Sequence, residues 1–284
     1  MAFKYSVFTV MTPDLGIEEA AAAIAEHGYD GVEWRVHSAP RETRGEINYW
    51  QGNRSTVDID SLPEAAARIK TLCDAYGLAI PALATYLQPT DLLLVERCMR
   101  AAQAMGCPQI RVNVPSYDGS SNYNELFAQT VERYRKVEEL AARHSVRANI
   151  ELHMGTICPS AGLAHRFLSN FDPAHVGAIY DPGNMVWEGF ENWQMGLELL
   201  GPYLAHVHVK NAAWRVVSEQ NGAAQWKPQM IGIGQGQVSW RDVLRALVKV
   251  GYDGWLSFED FSEGETRAKL AANVALLRRL AAGI

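Results

Sequence analysis

Leu204-Ala205-His206-Val207-His208-Val209-Lys210 is the stretch on which the fold turns. Valines alternate with two imidazoles and an ammonium, and a period of two is the signature of a strand whose faces differ. If helices cover this strand, Val207 and Val209 face them. His206, His208 and Lys210 then point to the other side, into the interior of a sheet.

Outward from this stretch the same grammar repeats. Short β-rich runs at 5–10, 31–37, 79–85, 109–114, 147–153, 176–181, 204–210 and 254–260 alternate with amphipathic helical runs. Among the latter are IEEAAAAIAEHG, LPEAAARIKTLCDAYG, LLLVERCMRAAQAMG and NELFAQTVERYRKVEELAARH. Strict strand–helix alternation specifies a parallel sheet, and eight units close a barrel. The expected fold is therefore α/β, a single (β/α)₈ TIM barrel in one domain over 1–284. The length of 284 residues is close to the roughly 250 typical of such barrels. A doubly wound open sheet is the alternative. It would usually carry a GxGxxG turn after the first strand, whereas Met11-Thr12-Pro13-Asp14-Leu15-Gly16 stands there.

Composition narrows the class. With 48% hydrophobic and 20% charged residues the chain reads as an ordinary globular protein. A net charge of −6 speaks against a nucleic-acid surface, which needs a basic stripe. No run reaches the roughly 18 apolar residues of a membrane span. The start MAFKYSVFTV lacks the features of a signal peptide, so a cytoplasmic location is expected. Cys73, Cys98, Cys107 and Cys158 are scattered without a CxxC pair, which indicates neither a zinc knuckle nor a disulfide framework.

Loop lengths say which end of the barrel works. Helix-to-strand turns are short, and one of them, Gly28-Tyr29-Asp30-Gly31, recurs as Gly251-Tyr252-Asp253-Gly254, reuse of one good turn. Two strand-to-helix connections, at about 37–60 and 211–238, are long, and such loops tend to be functional. Both fall on the C-terminal face, where barrel enzymes build their sites.

The alternation also places charge inside. Strand two contributes Glu33, Arg35 and His37; strand four Arg111 and Asn113; strand five Asn149, Glu151 and His153. Strand six ends with Asp181, and strand eight carries Ser257 and Glu259. Burying such groups costs several kcal/mol each unless they are paired or bound to a cation. A network of interior salt bridges, with Arg35, Arg111 and Lys210 against the carboxylates, is one account. Acids and imidazoles converging on one end fit a hard divalent cation better.

Glu151-Leu-His153, Tyr180-Asp181-Pro182-Gly183-Asn184, His206-Val-His208-Val-Lys210-Asn211 and Ser257-Phe-Glu259 resemble, in this order, the xylose-isomerase-like barrel superfamily. That group includes sugar phosphate isomerases/epimerases, ketose 3-epimerases, inosose dehydratase and 3-dehydroshikimate dehydratase. The resemblance covers essentially the whole chain, and its motifs are specific to the superfamily rather than to one reaction. It implies Glu151, Asp181, His208 and Glu259 as ligands of one divalent metal. His206, two residues earlier on the same face, could exchange roles with His208. Three carboxylates and one imidazole suit Mn²⁺ first, with Mg²⁺, Co²⁺ or Zn²⁺ as alternatives.

The function expected is a metal-dependent isomerase or epimerase acting on a ketose or related small sugar through an enediolate. The resemblance assigns proton removal and return to Glu151 and Glu259. Imidazole at His153 motivates the alternative, a lyase that expels a leaving group from a keto-sugar or keto-polyol. His206, Lys210, Arg35, Arg111 and Asn113, with Trp187 and Trp214, form the expected substrate shell. Trp226 is a further ring near the mouth, although single loop tryptophans more often only pack. A DNA-repair barrel of the endonuclease IV branch would need more inward histidines than this chain has, and a non-catalytic binding barrel is disfavoured by the full ligand set. Gly232-Ile233-Gly234-Gln235-Gly236 reads as a phosphate approach, a hinge or a tight turn. Arg41, Arg44 and Arg54 could meet an anion or a neighbouring subunit. A homodimer is expected by resemblance, with a small carbohydrate as the other partner.

Overall fold

The computed structural model describes residues 3–38 and 46–284, so Arg41 and Arg44 lie outside the described residues. Eight parallel strands run β1 (Lys4–Phe8), β2 (Gly31–His37), β3 (Leu83–Thr85), β4 (Gln109–Arg111), β5 (Arg147–Glu151), β6 (Val176–Tyr180), β7 (Leu204–Val209) and β8 (Trp255–Phe258). Each pairs with its sequence neighbour, and β1 pairs with both β8 and β2, which closes the ring. The eight-strand TIM barrel expected from alternation is the fold. Strands are shorter than their sequence patterns at the C-terminal end: β4 stops at Arg111 and β5 at Glu151. The residues beyond, including Asn113 and His153, leave the ladder and rim the mouth.

Helices α1 (Ile17–Glu26), α2 (Leu62–Ala75), α3 (Leu92–Met105) and α4 (Tyr123–His144) cover the first half of the ring. α5 (Ala161–Leu168), the short α6 (Pro182–Trp187), α7 (Trp193–Leu200), α8 (Trp240–Lys249) and α9 (Thr266–Ala281) cover the rest. The outward strand residues Val32, Trp34, Ile110, Ile150, Val207, Val209, Leu256 and Phe258 are fully buried against them. At roughly 1.5–3 kcal/mol per large apolar side chain removed from water, this shell holds the ring closed. The repeated Gly-Tyr-Asp-Gly turn is one structure used twice. Gly28 and Gly251 have φ of 76° and 73°, and the next amide, Tyr29 or Tyr252, donates back to Ile24 or Leu247.

The connection at 211–238 is not an irregular loop. It contains an antiparallel hairpin, Ala212–Gln220 with Ala223–Met230. The glycine run behind it is a packed turn. The Asn211 side chain donates to Ile233 and Val238 and accepts from the amides of Ala212 and Val238. A Cβ at Gly236 would stand 1.8 Å from Asn211 Oδ1, so close approach is what this glycine serves. The short stretch Val57–Asp58 adds to the outer end of β2 inside the other long connection.

Candidate metal centre

Alternation on the strands builds two polar layers, one above the other. On four strands a residue of the lower layer sits two positions before one nearer the mouth: Glu33 before Arg35, Gln109 before Arg111, Asn149 before Glu151, His206 before His208. Asp181 follows β6, and Glu259 follows β8.

The lower layer is a directed hydrogen-bond chain. Asn149 Nδ2 donates to Gln109 Oε1 at 2.8 Å. Gln109 Nε2 stands 3.5 Å from His206 Nδ1, and His206 Nε2 is 3.0 Å from Glu33 Oε2. The amide hydrogen of Gln109 requires His206 Nδ1 to accept, so Nε2 carries the proton and donates to Glu33. The other oxygen of Glu33 receives His208 Nε2 at 3.3 Å. Despite full burial, the two histidines hold the Glu33 carboxyl well below its usual range.

That bond decides what the upper layer needs. With Nε2–H committed to Glu33, His208 Nδ1 faces Glu151 Oε1 at 3.2 Å, Asp181 Oδ2 at 3.8 Å and Glu259 Oε2 at 3.8 Å. A nitrogen lone pair among three carboxylates is repulsive unless a cation or proton stands between them. Without a metal the proton does so: although burial opposes it, Glu33 and the carboxylates push the His208 pKa well above its ordinary value.

Each candidate ligand is oriented by a partner. Asp181 caps α6 through Oδ1, which accepts the Asn184 amide at 2.9 Å and leaves Oδ2 toward the cluster. Asn184 Nδ2 donates to Glu151 Oε1 at 3.1 Å, and Asn184 Oδ1 accepts from Lys210 Nζ at 3.0 Å. Arg111 donates to Glu151 Oε2 and to the Thr85 carbonyl. Burial opposes ionisation of Glu151, yet the Arg111 guanidinium and His208 hold its carboxyl well below the usual range. Burial pushes the Glu259 carboxyl up to about 7, against the pull of Lys210. Phe8 lies stacked under His208 with centroids 5.6 Å apart and 25° between planes. Lys210 reaches the cluster because residue 183 is glycine; a Cβ there would stand 2.6 Å from Lys210 Cγ.

The residues present fit a divalent ion. One donor atom from each of Glu151, Asp181, His208 and Glu259 lies within 4.8 Å of all the others, and all four residues are buried. Asp181 Oδ2 and Glu259 Oε2 receive no well-formed hydrogen bond. What they have is the Lys210 ammonium, 3.0 Å from Asp181 Oδ2 and in direct contact with Glu259 Oε2. Four buried carboxylates (Glu33, Glu151, Asp181, Glu259) thus face two permanent cations in contact with them, Arg111 and Lys210. One divalent ion with a neutral His208 would balance the rest. Glu33, His206 and His208 also lie close enough to hold an ion, but their donors are already spent on one another.

Above the cluster opens a cavity of 530 Å³ lined by Arg111, Asn113, Glu151, His153, Lys210 and Glu259 on its polar side. Trp187, Tyr49, Trp50, Tyr86, Met230 and Phe261 also line it. Of the expected substrate shell, Arg111, Asn113, Lys210 and Trp187 are at this cavity and three residues are not. His206 is one layer deeper, fully buried on Glu33. Arg35 bonds to Tyr86, Thr56 and the Trp50 carbonyl instead of lining the space. Trp214 donates its indole N–H to the Val186 carbonyl, 38% exposed on the hairpin. Trp226 is 57% exposed beyond it, and Arg54 pairs with Glu19 at the surface. Glu33 and Asn184 had no assigned role in the sequence. Glu33 was already placed inward by alternation, and Asn184 stands in the Asp181–Asn184 motif, so the signal for both was present.

Residues 21–280 match the xylose isomerase-like TIM barrel family, and the chain belongs to it. An inosose dehydratase of Bacillus licheniformis is 27% identical over 143 residues, 48% of this chain and 47% of the relative. The chain's match thus spans about half the length of that curated relative. Among solved structures, the 3-keto-D-glucoside 4-epimerase of E. coli superposes with a TM-score of 0.73 at 19% identity, covering 98% of this chain and 100% of the other. A D-psicose 3-epimerase of Clostridium cellulolyticum H10 gives 0.72 at 13% identity, covering 98% and 99%. At these identities the two structures speak to the fold alone. No helix among the described residues is long and apolar enough to cross a membrane.

Proposed function

We propose that the protein is a divalent-metal-dependent isomerase or epimerase of a ketose or related small sugar, with Mn²⁺ the first candidate ion. The observation that carries this reading is the pair Glu151 and Glu259, both lining the cavity over one four-donor cluster. They arrive from β5 and β8, three strands apart, and so flank whatever lies on the cavity floor. Glu151, Asp181, His208 and Glu259 would hold the ion, which when bound supplies positive charge to a substrate oxygen as negative charge develops there. Glu151 removes the proton from the carbon beside the carbonyl, and Glu259 on the opposite side returns one. Lys210 and Arg111 keep the carboxylates oriented, and Asn113 offers its amide to a substrate hydroxyl. The proposal includes a cytoplasmic location and a homodimer, in line with four buried, unpaired cysteines for the first and family resemblance for the second.

A specific observation favours a second reading, elimination by a lyase. His153 lines the cavity, and its Nδ1 donates to the Met154 carbonyl at 2.8 Å, since a carbonyl only accepts. Nε2 is then the basic nitrogen, available to take a proton. The dehydratase names of the curated relatives point the same way.

Proton NMR in D₂O with Mn²⁺ or Mg²⁺ and a panel of ketoses, ketose phosphates and 3-keto sugars decides between them. Deuterium entering beside the carbonyl with interconversion of isomers is the expected result. Loss of water or another leaving group moves the assignment to the lyase. Full proton exchange by both Glu151→Gln and Glu259→Gln, with metal still bound, would overturn the assignment of the pair.

A further inference from the structure

The cavity has two chemically different ends. Its floor is polar, and a monosaccharide placed against Glu151, Glu259 and Lys210 meets hydrogen-bonding groups throughout. Above the floor the lining is mixed: Gln88, Ser116 and Thr156 are polar, and beside them stands a run of aromatic rings and thioethers. Tyr49, Trp50 and Phe261 form one wall, and Trp187, Met154 and Met230 stand on the other side of the mouth in strand order. Size makes the same point. A six-carbon sugar has twelve heavy atoms, and granting each a full water volume of about 30 Å³ fills about 360 Å³. The cavity measures 530 Å³.

The aromatic wall is continuous from the site to solvent. Lys210 Nζ lies 5.2 Å from the centroid of Phe261, and Phe261 lies 5.1 Å from Trp50, itself 57% exposed. It is also held in place. Tyr49 donates to the Ser262 carbonyl and accepts from Lys269, Asn53 binds the Tyr49 carbonyl, and Arg35 binds that of Trp50. Sugar hydroxyls laid against these rings would lose water without gaining partners. A flat apolar group would bury area against these rings.

We propose that the outer half is a subsite for an aromatic aglycone, so that the substrate is a keto-sugar bearing an aryl substituent rather than a free monosaccharide. This rests on the carbohydrate reading above and names its substrate class. The sugar ring occupies the polar floor, and the aryl group lies along Phe261 and Trp50 toward the opening.

The test uses the Mn²⁺-loaded 284-residue chain and three probes, phenyl 3-keto-β-D-glucoside, methyl 3-keto-β-D-glucoside and free 3-keto-D-glucose. Binding is followed by calorimetry and by quenching of tryptophan fluorescence. The phenyl glycoside is expected to bind about tenfold tighter than the methyl glycoside or more. Trp50→Ala removes most of that preference and leaves the methyl glycoside unchanged, and Trp50→Phe restores it. Equal affinity for phenyl and methyl glycosides overturns the subsite, as does an equal loss for both in Trp50→Ala. Binding of the free sugar with neither glycoside overturns the subsite and leaves the carbohydrate reading standing. Binding of none of the three overturns both.

Discussion

The two polar layers inside the barrel share strands, with Asn149 two residues before Glu151 and His206 two before His208, yet only one of them is a candidate site. In the lower layer, Asn149, Gln109, His206 and Glu33 form one directed chain, with only Asn149 Oδ1 left without a partner in it. In the upper layer, Glu151, Asp181 and Glu259 crowd around Nδ1 of His208, and Asp181 Oδ2 and Glu259 Oε2 are left without a well-formed hydrogen bond. Charge of the wrong balance, rather than the presence of histidine or glutamate, marks the candidate metal centre. His208 belongs to both layers, one nitrogen in each, and is the joint through which the closed layer orients the open one.

That comparison can be broken by substitution. The largest effect is expected for Asp181→Asn and Glu259→Gln, each of which removes a charged donor from the upper layer. Mn²⁺ affinity measured by calorimetry should fall by more than the roughly 100-fold that loss of an outer-shell partner brings. The fold, followed by circular dichroism, should persist. Next comes Glu33→Gln. It leaves the four donors intact but removes the charge and one of the two oxygens that hold His206 and His208, so affinity should drop by roughly 10–100-fold. Unaltered affinity in this variant would sever the proposed link between layers.

Metal itself gives a third, intermediate effect. Adding Mn²⁺ at about 100 times its Kd to chelator-treated protein should stabilise the fold by about 2.7 kcal/mol. A scan of thermal unfolding against ion concentration reads this, and Asp181→Asn should abolish the response. His206→Gln should instead cost about 1–3 kcal/mol of stability, because Glu33 and Gln109 are left incompletely paired. Its effect on metal affinity should be smaller than that of Glu33→Gln. Smallest of all, Trp50→Ala, at an exposed ring, should change unfolding free energy by no more than about 0.5 kcal/mol.

Much of this architecture is legible in one dimension. Val207 and Val209 against His206 and His208 specify which faces look inward, because a strand's period is fixed at two by its geometry. The same rule put Glu33, Arg111, Glu151 and Asp181 inside. It could not rank them by depth along the barrel axis. His206 and His208 are equivalent to a pattern of period two, and only the pairing of His206 with Gln109 and Glu33, from strands far away in sequence, sets it apart from His208 in the candidate cluster. Arg35 likewise points inward as expected but turns toward the loop carbonyl of Trp50. Trp214, expected at the mouth, is drawn off by the Val186 carbonyl because the long connection folds as a hairpin.

What the sequence by itself determined is the barrel and the strand faces from which its polar interior is built, since alternation, helix periodicity and turn residues are local and repeat eight times. What only the tertiary structure decided is which polar groups neutralise one another and which are left needing a cation, and how far an aromatic wall extends the cavity above them. Those depend on distances between residues far apart in sequence, 175 positions for Glu33 and His208 and 220 for Tyr49 and Lys269. Hydrogen bonds and Coulomb energies are set by ångströms in space, and a linear pattern does not contain them.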